Sequence, residues 1–126
     1  MPYETTWETS GVIQKFRGVV SSPEWFDALK EIYSGPRLDS FRYVLRDFLD
    51  VEVFDVGIKM LLEGRAASTL IQERAPDIVV AVVTTRPEII ESMKVASSYG
   101  LDVYPSRIFP NVAEARAWIA GFQKNA

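Results

Sequence analysis

The chain has no cysteine and no histidine among its 126 residues. The first absence excludes disulfides, thiolate metal sites and thiol nucleophiles. The second removes the commonest general base, the commonest metal ligand and the usual switch near neutral pH. An excess of positive charge is lacking too, since 14 Lys and Arg stand against 17 Asp and Glu, for a net charge of −3. A phosphate backbone needs a positive field, so no nucleic-acid partner is expected. No apolar run approaches the length of a membrane-crossing helix. The opening Met1-Pro2-Tyr3-Glu4-Thr5-Thr6-Trp7-Glu8 has no basic region followed by an apolar run, so it does not read as a signal peptide, and a cytoplasmic protein is expected. What is present is a globular balance, 48% hydrophobic and 25% charged. It suits one α/β domain over residues 1–126 with a sizeable core. No Gly/Ser- or Pro-rich linker, internal repeat or low-complexity tract divides it.

Periodicity gives alternating elements. Tyr3 to Glu8 suits an edge strand, and Gly11 turns it into a second strand, Val12 to Val20. In that strand Val12, Phe16 and Gln14 share one face, and Ile13, Lys15 and Arg17 the other. Ser22 is the expected cap of a helix with Pro23 and Glu24 in its first turn and Trp25, Leu29, Ile32 and Tyr33 on its inner face. Ser34-Gly35-Pro36 stops it. Phe41 to Phe48 is the next strand, followed by an acidic turn. A helix from Val56 to Arg74 then stacks Ile58, Leu62, Ala66 and Leu70, with Gly64 inside it. Ile78 to Val83 is a β-branched run of the kind found in central parallel strands. Thr85-x-x-Glu88 reads as a capping box for a helix using Ile89, Ile90, Met93 and Ala96 and ending at Gly100. Asp102 to Phe109 is a last strand, placed at an edge by Pro105. Asn111-x-x-Glu114 caps a final helix expected to bury Ala115, Trp118, Ile119 and Phe122. The order β-β-α-β-α-β-α-β-α predicts a mixed, mostly parallel sheet packed with helices, in which Phe41–Phe48 and Ile78–Val83 are adjacent central strands.

Chemistry-bearing residues are few. Asp47, Asp50, Glu52 and Asp55 are the densest carboxylates, but their spacing does not match a calcium loop. Strand alternation would aim them apart, so no metal site is expected; Asp50 or Asp55 reads instead as a cap for the helix that follows. Ser21, Ser22, Thr84 and Thr85 each follow a strand, yet no histidine can activate them, and Lys15, Lys30, Lys59 and Lys94 show no diagnostic pairing. Capping accounts for these hydroxyls. Thr84-Thr85-Arg86-Pro87 lacks the glycines of a phosphate loop. No catalytic residue and no cofactor is expected. Trp7, Trp25 and Trp118 suit a core, a partner-facing surface or the lining of an apolar pocket.

The segment Asp47-Phe48-Leu49-Asp50-Val51-Glu52-Val53-Phe54-Asp55-Val56-Gly57 resembles the strand-to-helix motif of the STAS domain, the SpoIIAA-like family, whose pattern runs Asp-Leu-Ser-x-Val-x-x-Ile-Asp-Ser-Ser-Gly. Asp47, Val51, Phe54 and Asp55 fall on matching positions. The whole chain also looks like small uncharacterised bacterial proteins related to STAS and to lipid-binding SEC14-type domains, which open with a similar Tyr-Glu-Thr-Thr-Trp strand. The resemblance implies a SpoIIAA-like fold, protein–protein contacts and no catalysis. Antagonists of that family are phosphorylated on the serine after the second Asp. Val56 stands there and has no hydroxyl, so that switch is not carried over. The reading is a binding or regulatory module, with Asp50, Asp55, Val56, Gly57, Lys59, Trp25 and Trp118 as its candidate partner-binding residues. The alternative is a small-molecule or lipid carrier of the SEC14 type. Large aromatics on the first and last helices also predict a homodimer, because adjacent Trp25 and Phe26 lie about 100° apart on a helix and cannot both face one core.

Overall fold

Each stretch of alternating apolar residues folds as a strand and each stretch of 3.6-residue spacing as a helix, in the predicted order. The computed structural model describes residues 3–35, 38, 40–72, 75–98 and 104–124, without the side chains of residues 58, 64, 65, 67, 68, 70, 71, 123 and 124. The elements are β1 (Tyr3–Trp7), β2 (Gly11–Ser21), α1 (Ser22–Tyr33), β3 (Tyr43–Asp55), α2 (Ile58–Gln72), β4 (Val79–Val83), α3 (Pro87–Ser98), β5 (Ser106–Phe109) and α4 (Val112–Lys124). The sheet runs β1-β2-β3-β4-β5. The β1–β2 hairpin is antiparallel, and every later pair is parallel. β3 and β4 are the adjacent central strands, in register from Tyr43 opposite Val79 to Asp47 opposite Val83. β5 lies at the edge.

Right-handed crossovers between strands in sequential order put the connecting helices on one face. That face holds the larger core. Val12, Phe16 and Val20 of β2, Val44, Phe48 and Val51 of β3, and Val80 and Val82 of β4 pack with Trp25, Leu29 and Ile32 of α1 and Ile89 of α3, while Met60 of α2 and Met93 lean on its rim. Phe16, Trp25, Phe48 and Phe54 form an aromatic group with ring centroids 4.8 to 5.9 Å apart. On the other face α4 alone covers Tyr43, Leu45, Val79, Ala81 and Val83 with Ala115 and Ile119.

Several boundaries differ from expectation, each for a local reason. Ser21, one residue before Ser22, is the N-cap of α1; its backbone N–H donates to Glu24 Oε2 at 3.2 Å. At the start of α3 it is Thr84 Oγ1, not Thr85, that accepts a backbone bond, from Arg86 N–H at 3.2 Å. The Asn111–Glu114 box is present, with Glu114 N–H donating to Asn111 Oδ1 at 2.9 Å. The stripe assigned to α2 is corrected: Leu62 is half exposed and Ala66 is exposed, while Met60 and Leu61 are the half-buried residues. The helix packs against α1, and Met60 is the side chain it sends to the core. The Ile58 and Leu70 side chains, the surroundings of Gly64, and the expected ends at Arg74, Gly100 and Asp102 lie outside the described residues, while Tyr104 and Pro105, expected in the last strand, precede β5. Phe122 is 42% exposed rather than buried, because α4 turns it past the end of the sheet toward Trp118.

The largest difference is in β3. The acidic turn expected after Phe48 is strand as far as Asp55. Pairing with β2 holds it extended: Arg17 lies opposite Asp50 and Ser21 opposite Asp55. Two register shifts insert one extra β3 residue each, between the Lys15 and Arg17 partners and between those of Gly18 and Val19. Gly18, at φ +65°, supplies the left-handed backbone beside the second shift.

Candidate interaction surface

The additional length of β2 and β3 makes a feature that alternation alone does not show. The last β4 partner of β3 is Asp47, and the first described β1 partner of β2 is Phe16. Beyond those points the two strands continue as a parallel ribbon, Arg17–Ser21 beside Asp50–Asp55, with no further strand on either side among the described residues. One face of the ribbon is anchored: Val20 and Val51 are fully buried, and Phe54 packs edge-on against Trp25 and Phe48. The other face is bare. Val19 and Val53 are register partners and are 55% and 49% exposed, and Leu49, at the first bulge of β3, is 41% exposed. The α4-side cluster includes Ile13 and Phe109 but none of Val19, Leu49 and Val53, so this apolar strip stays open to solvent.

Charge pairs flank the strip. Lys15 Nζ lies 3.2 Å from Asp50 Oδ2, and Arg17 Nη2 lies 3.0 Å from Glu4 Oε2. All four groups are well exposed, so these pairs contribute little to stability and leave the surface locally neutral. Asp47 is instead buried, and its Oδ1 accepts Leu49 N–H at 3.0 Å, which shapes the first bulge. Glu52 and Asp55 are exposed. The four carboxylates therefore point to different surroundings, and among the described residues no three acidic side chains converge as a metal cluster would.

A second polar group ties the hairpin to the far face. Arg116 of α4 donates to Glu8 at 3.1 and 2.9 Å, and the Tyr43 hydroxyl donates to the same carboxylate. Those donors, Arg116 first and Tyr43 second, hold Glu8 below the usual carboxylate range; burial, then the hydrogen bond to Glu8 and its charge, push the Tyr43 phenol up. The Tyr43 ring lies over Gly11, where a Cβ would come within 2.2 Å of it.

The sequence-derived candidates separate accordingly. Asp50 and Asp55 lie on the ribbon, and Val56, Gly57 and Lys59 follow at its tip, where the Gly57 carbonyl accepts the N–H groups of Met60 and Leu61. Val56 is half-buried against the core, while Gly57 and Lys59 are exposed. Trp25 lies inside the aromatic core at 5% exposure, with Phe26 outside at 41%. Trp118 is half-buried between Phe109 and Phe122, away from the ribbon. Leu49 and Val53 do not stand out in the sequence, because each bulge in β3 puts two neighbouring residues outward and breaks the two-residue period, whereas Val19 follows the alternation of β2 and its exposure is decided by what covers that face.

No family model matches the chain, and no curated protein matches it. Solved structures do. The Bacillus cell fate determinant SpoIIAA in its phosphorylated form aligns over 93% of this chain and 98% of its own, at TM-score 0.60 and 12% identity. An uncharacterized protein from the DUF3478 family with a SpoIIAA-like fold, from Shewanella loihica PV-4, aligns over 93% of this chain and 91% of its own, at TM-score 0.56 and 11% identity. The fold is SpoIIAA-like, as the resemblance of the Asp47–Gly57 segment implied.

Proposed function

We propose that this SpoIIAA-like domain is a non-catalytic binding or regulatory module that acts through protein–protein contacts, with the partner seated on the bare face of the β2–β3 ribbon. The observation that carries this reading is the exposure of the neighbouring Val19 and Val53, with Leu49 exposed further back along β3, on a face where none of them belongs to a core cluster among the described residues. Grouped apolar exposure rimmed by polar residues marks interaction surfaces, whereas single exposed hydrophobics are ordinary. The two open strand edges beside the strip would let a partner add backbone hydrogen bonds. Asp50, Asp55, Gly57 and Lys59 rim the same end of the domain. Regulation would not run through a phosphoserine after Asp55, since Val56 occupies that position. The partner is another protein or a second copy of this chain, for which Phe26 and Phe122 offer further exposed aromatic surface.

A photo-crosslinking residue at position 53, compared in cells with one at the exposed Glu31 of α1, tests this. Protein adducts from position 53 and not from position 31 support the proposal. Their loss in Val19→Glu, with an unchanged melting temperature, places the contact on the strip. Equal yields from the two positions overturn it. Sedimentation equilibrium distinguishes the two kinds of partner, since a single species at the 14.2 kDa chain mass excludes the homodimer.

A further inference from the structure

The covered face of the sheet contains two polar side chains that its apolar surroundings do not explain. Gln14 is fully buried and Arg46 is 8% exposed. They are register partners on neighbouring parallel strands, so they leave the same face side by side, about 5 Å apart at the backbone. The Gln14 amide is fixed by its nitrogen, which donates to the Ala28 carbonyl at 2.9 Å and to Thr5 Oγ1 at 3.3 Å. Its Oε1 is left without a hydrogen-bond partner. Arg46 donates from Nη2 to the Tyr33 hydroxyl at 3.3 Å and lies with its guanidinium carbon 5.0 Å from the centre of the Trp25 ring. Its Nε has no partner. Among the described residues no carboxylate pairs with it. A buried acceptor and a buried donor are thus carried by register partners on neighbouring strands, both unsatisfied, together with a positive charge that has no counter-ion among the described residues. Each orphan atom has lost its hydrogen bonds to water without replacing them, which is unfavourable. A lone buried charge is more unfavourable still, and apolar side chains at both positions would avoid it.

We propose that Gln14 and Arg46 form a binding site for a small oxyanion that carries a hydroxyl proton, a hydroxycarboxylate or a hydrogen phosphate group. The oxyanion accepts from Arg46 Nε and Nη and balances its charge, and its hydroxyl donates to Gln14 Oε1. The Tyr33 hydroxyl, which accepts from Arg46, has its own proton to give to the anion. Trp25 closes one side through its ring face. A water molecule would satisfy the two orphan atoms but leave the charge. An anion with no proton would satisfy the charge but set lone pairs against Gln14 Oε1. Arg46 keeps a little exposed surface and Gln14 none, which limits the ligand to a small one. The site lies on the sheet face opposite Val19 and Val53, so it stands or fails separately from the contact surface on the ribbon.

Titration calorimetry of the full chain at matched ionic strength, with four sodium salts, tests the site. The salts form two pairs differing in the proton: phosphate against sulfate, and glycolate against acetate. In at least one pair the protonated member should bind about tenfold more tightly, the worth of one hydrogen bond to Gln14. The pair that shows the preference identifies the source of the oxyanion. Gln14→Leu should erase the preference and keep the weaker binding; Arg46→Met should abolish binding. If Arg46→Met does not fold, the salt series on the wild type and on Gln14→Leu decides by itself. Absence of saturable heat with all four salts, equal affinity within both pairs, or a preference that survives Gln14→Leu overturns the proposal.

Discussion

Gly11→Ala should be among the most damaging one-carbon changes in this domain. The φ of Gly11 is not positive, so alanine meets no backbone strain there. The obstacle is space. The added Cβ would sit 2.2 Å from two atoms of the Tyr43 ring and 2.4 Å from a third. These are mid-ring atoms, not the flexible end of a long side chain, and the ring is held from both directions. Its hydroxyl donates to Glu8, and its outer side packs in the α4-side core at 7% exposure. Relieving the overlap means swinging the ring out, with loss of the Glu8 bond, or parting β2 from β3. Overpacking of this kind costs about 1–3 kcal/mol, and the lost hydrogen bond about 1 more. A total of roughly 3 kcal/mol, over an unfolding entropy of about 0.26 kcal/mol per kelvin for 126 residues, lowers the melting temperature by about 11 °C. The assay is thermal and urea unfolding of Gly11→Ala, Tyr43→Ala and the double variant. With the ring gone the overlap disappears, so Gly11→Ala in the Tyr43→Ala background should cost less than about 0.5 kcal/mol. An equal cost in both backgrounds, or a negligible cost in the wild type, would refute the reasoning.

Two pH effects follow from the same physics. Glu8 has a folded pKa below its unfolded value, so its contribution is present above the unfolded pKa and fades as pH falls through the lower folded one. Glu8→Gln should flatten the acid limb of a stability–pH curve below about pH 4.5 and change little at its neutral end beyond a constant offset; an unaltered acid limb would contradict the Arg116 and Tyr43 assignments. Tyr104 is driven by burial to a pKa of about 12, with Tyr33 adding to the rise. Its hydroxyl donates to the Ala75 carbonyl at 2.8 Å. Here the neutral form is favoured in the fold, so stability is complete below the ordinary tyrosine pKa of 10.0 and is lost between there and about pH 12. Ultraviolet titration should show a phenol ionising near pH 12 that is absent in Tyr104→Phe, while Tyr43 and Tyr3 are also displaced upward and remain in that variant; a high-pH limb unchanged by Tyr104→Phe would rule this out.

The order of elements was legible from residue pattern because each signal is local. The β-branched Ile78–Val83 run, the amphipathic spacing of Trp25, Leu29, Ile32 and Tyr33, and the Asn111–Glu114 box each describe a segment in contact mainly with itself or with one broad apolar layer. The Asp47–Gly57 segment also pointed to the SpoIIAA-like fold that the solved structures share. What the tertiary structure decided was every feature that needs a second strand or helix to exist. Residues Asp50 to Asp55 are polar enough to be a turn, and only pairing with Arg17–Ser21 makes them strand. The bulges that expose Leu49 and Val53 depend on a difference in length between two strands, which neither strand records alone. Which side of α2 faces inward, with Met60 rather than Leu62 at the core, is likewise fixed only when the helix meets α1 and the sheet. Gln14 could be placed on the inner face of β2 by alternation, but its unsatisfied oxygen, and the buried charge of Arg46 beside it, come from the register between β2 and β3, which is a property of the sheet and not of either segment.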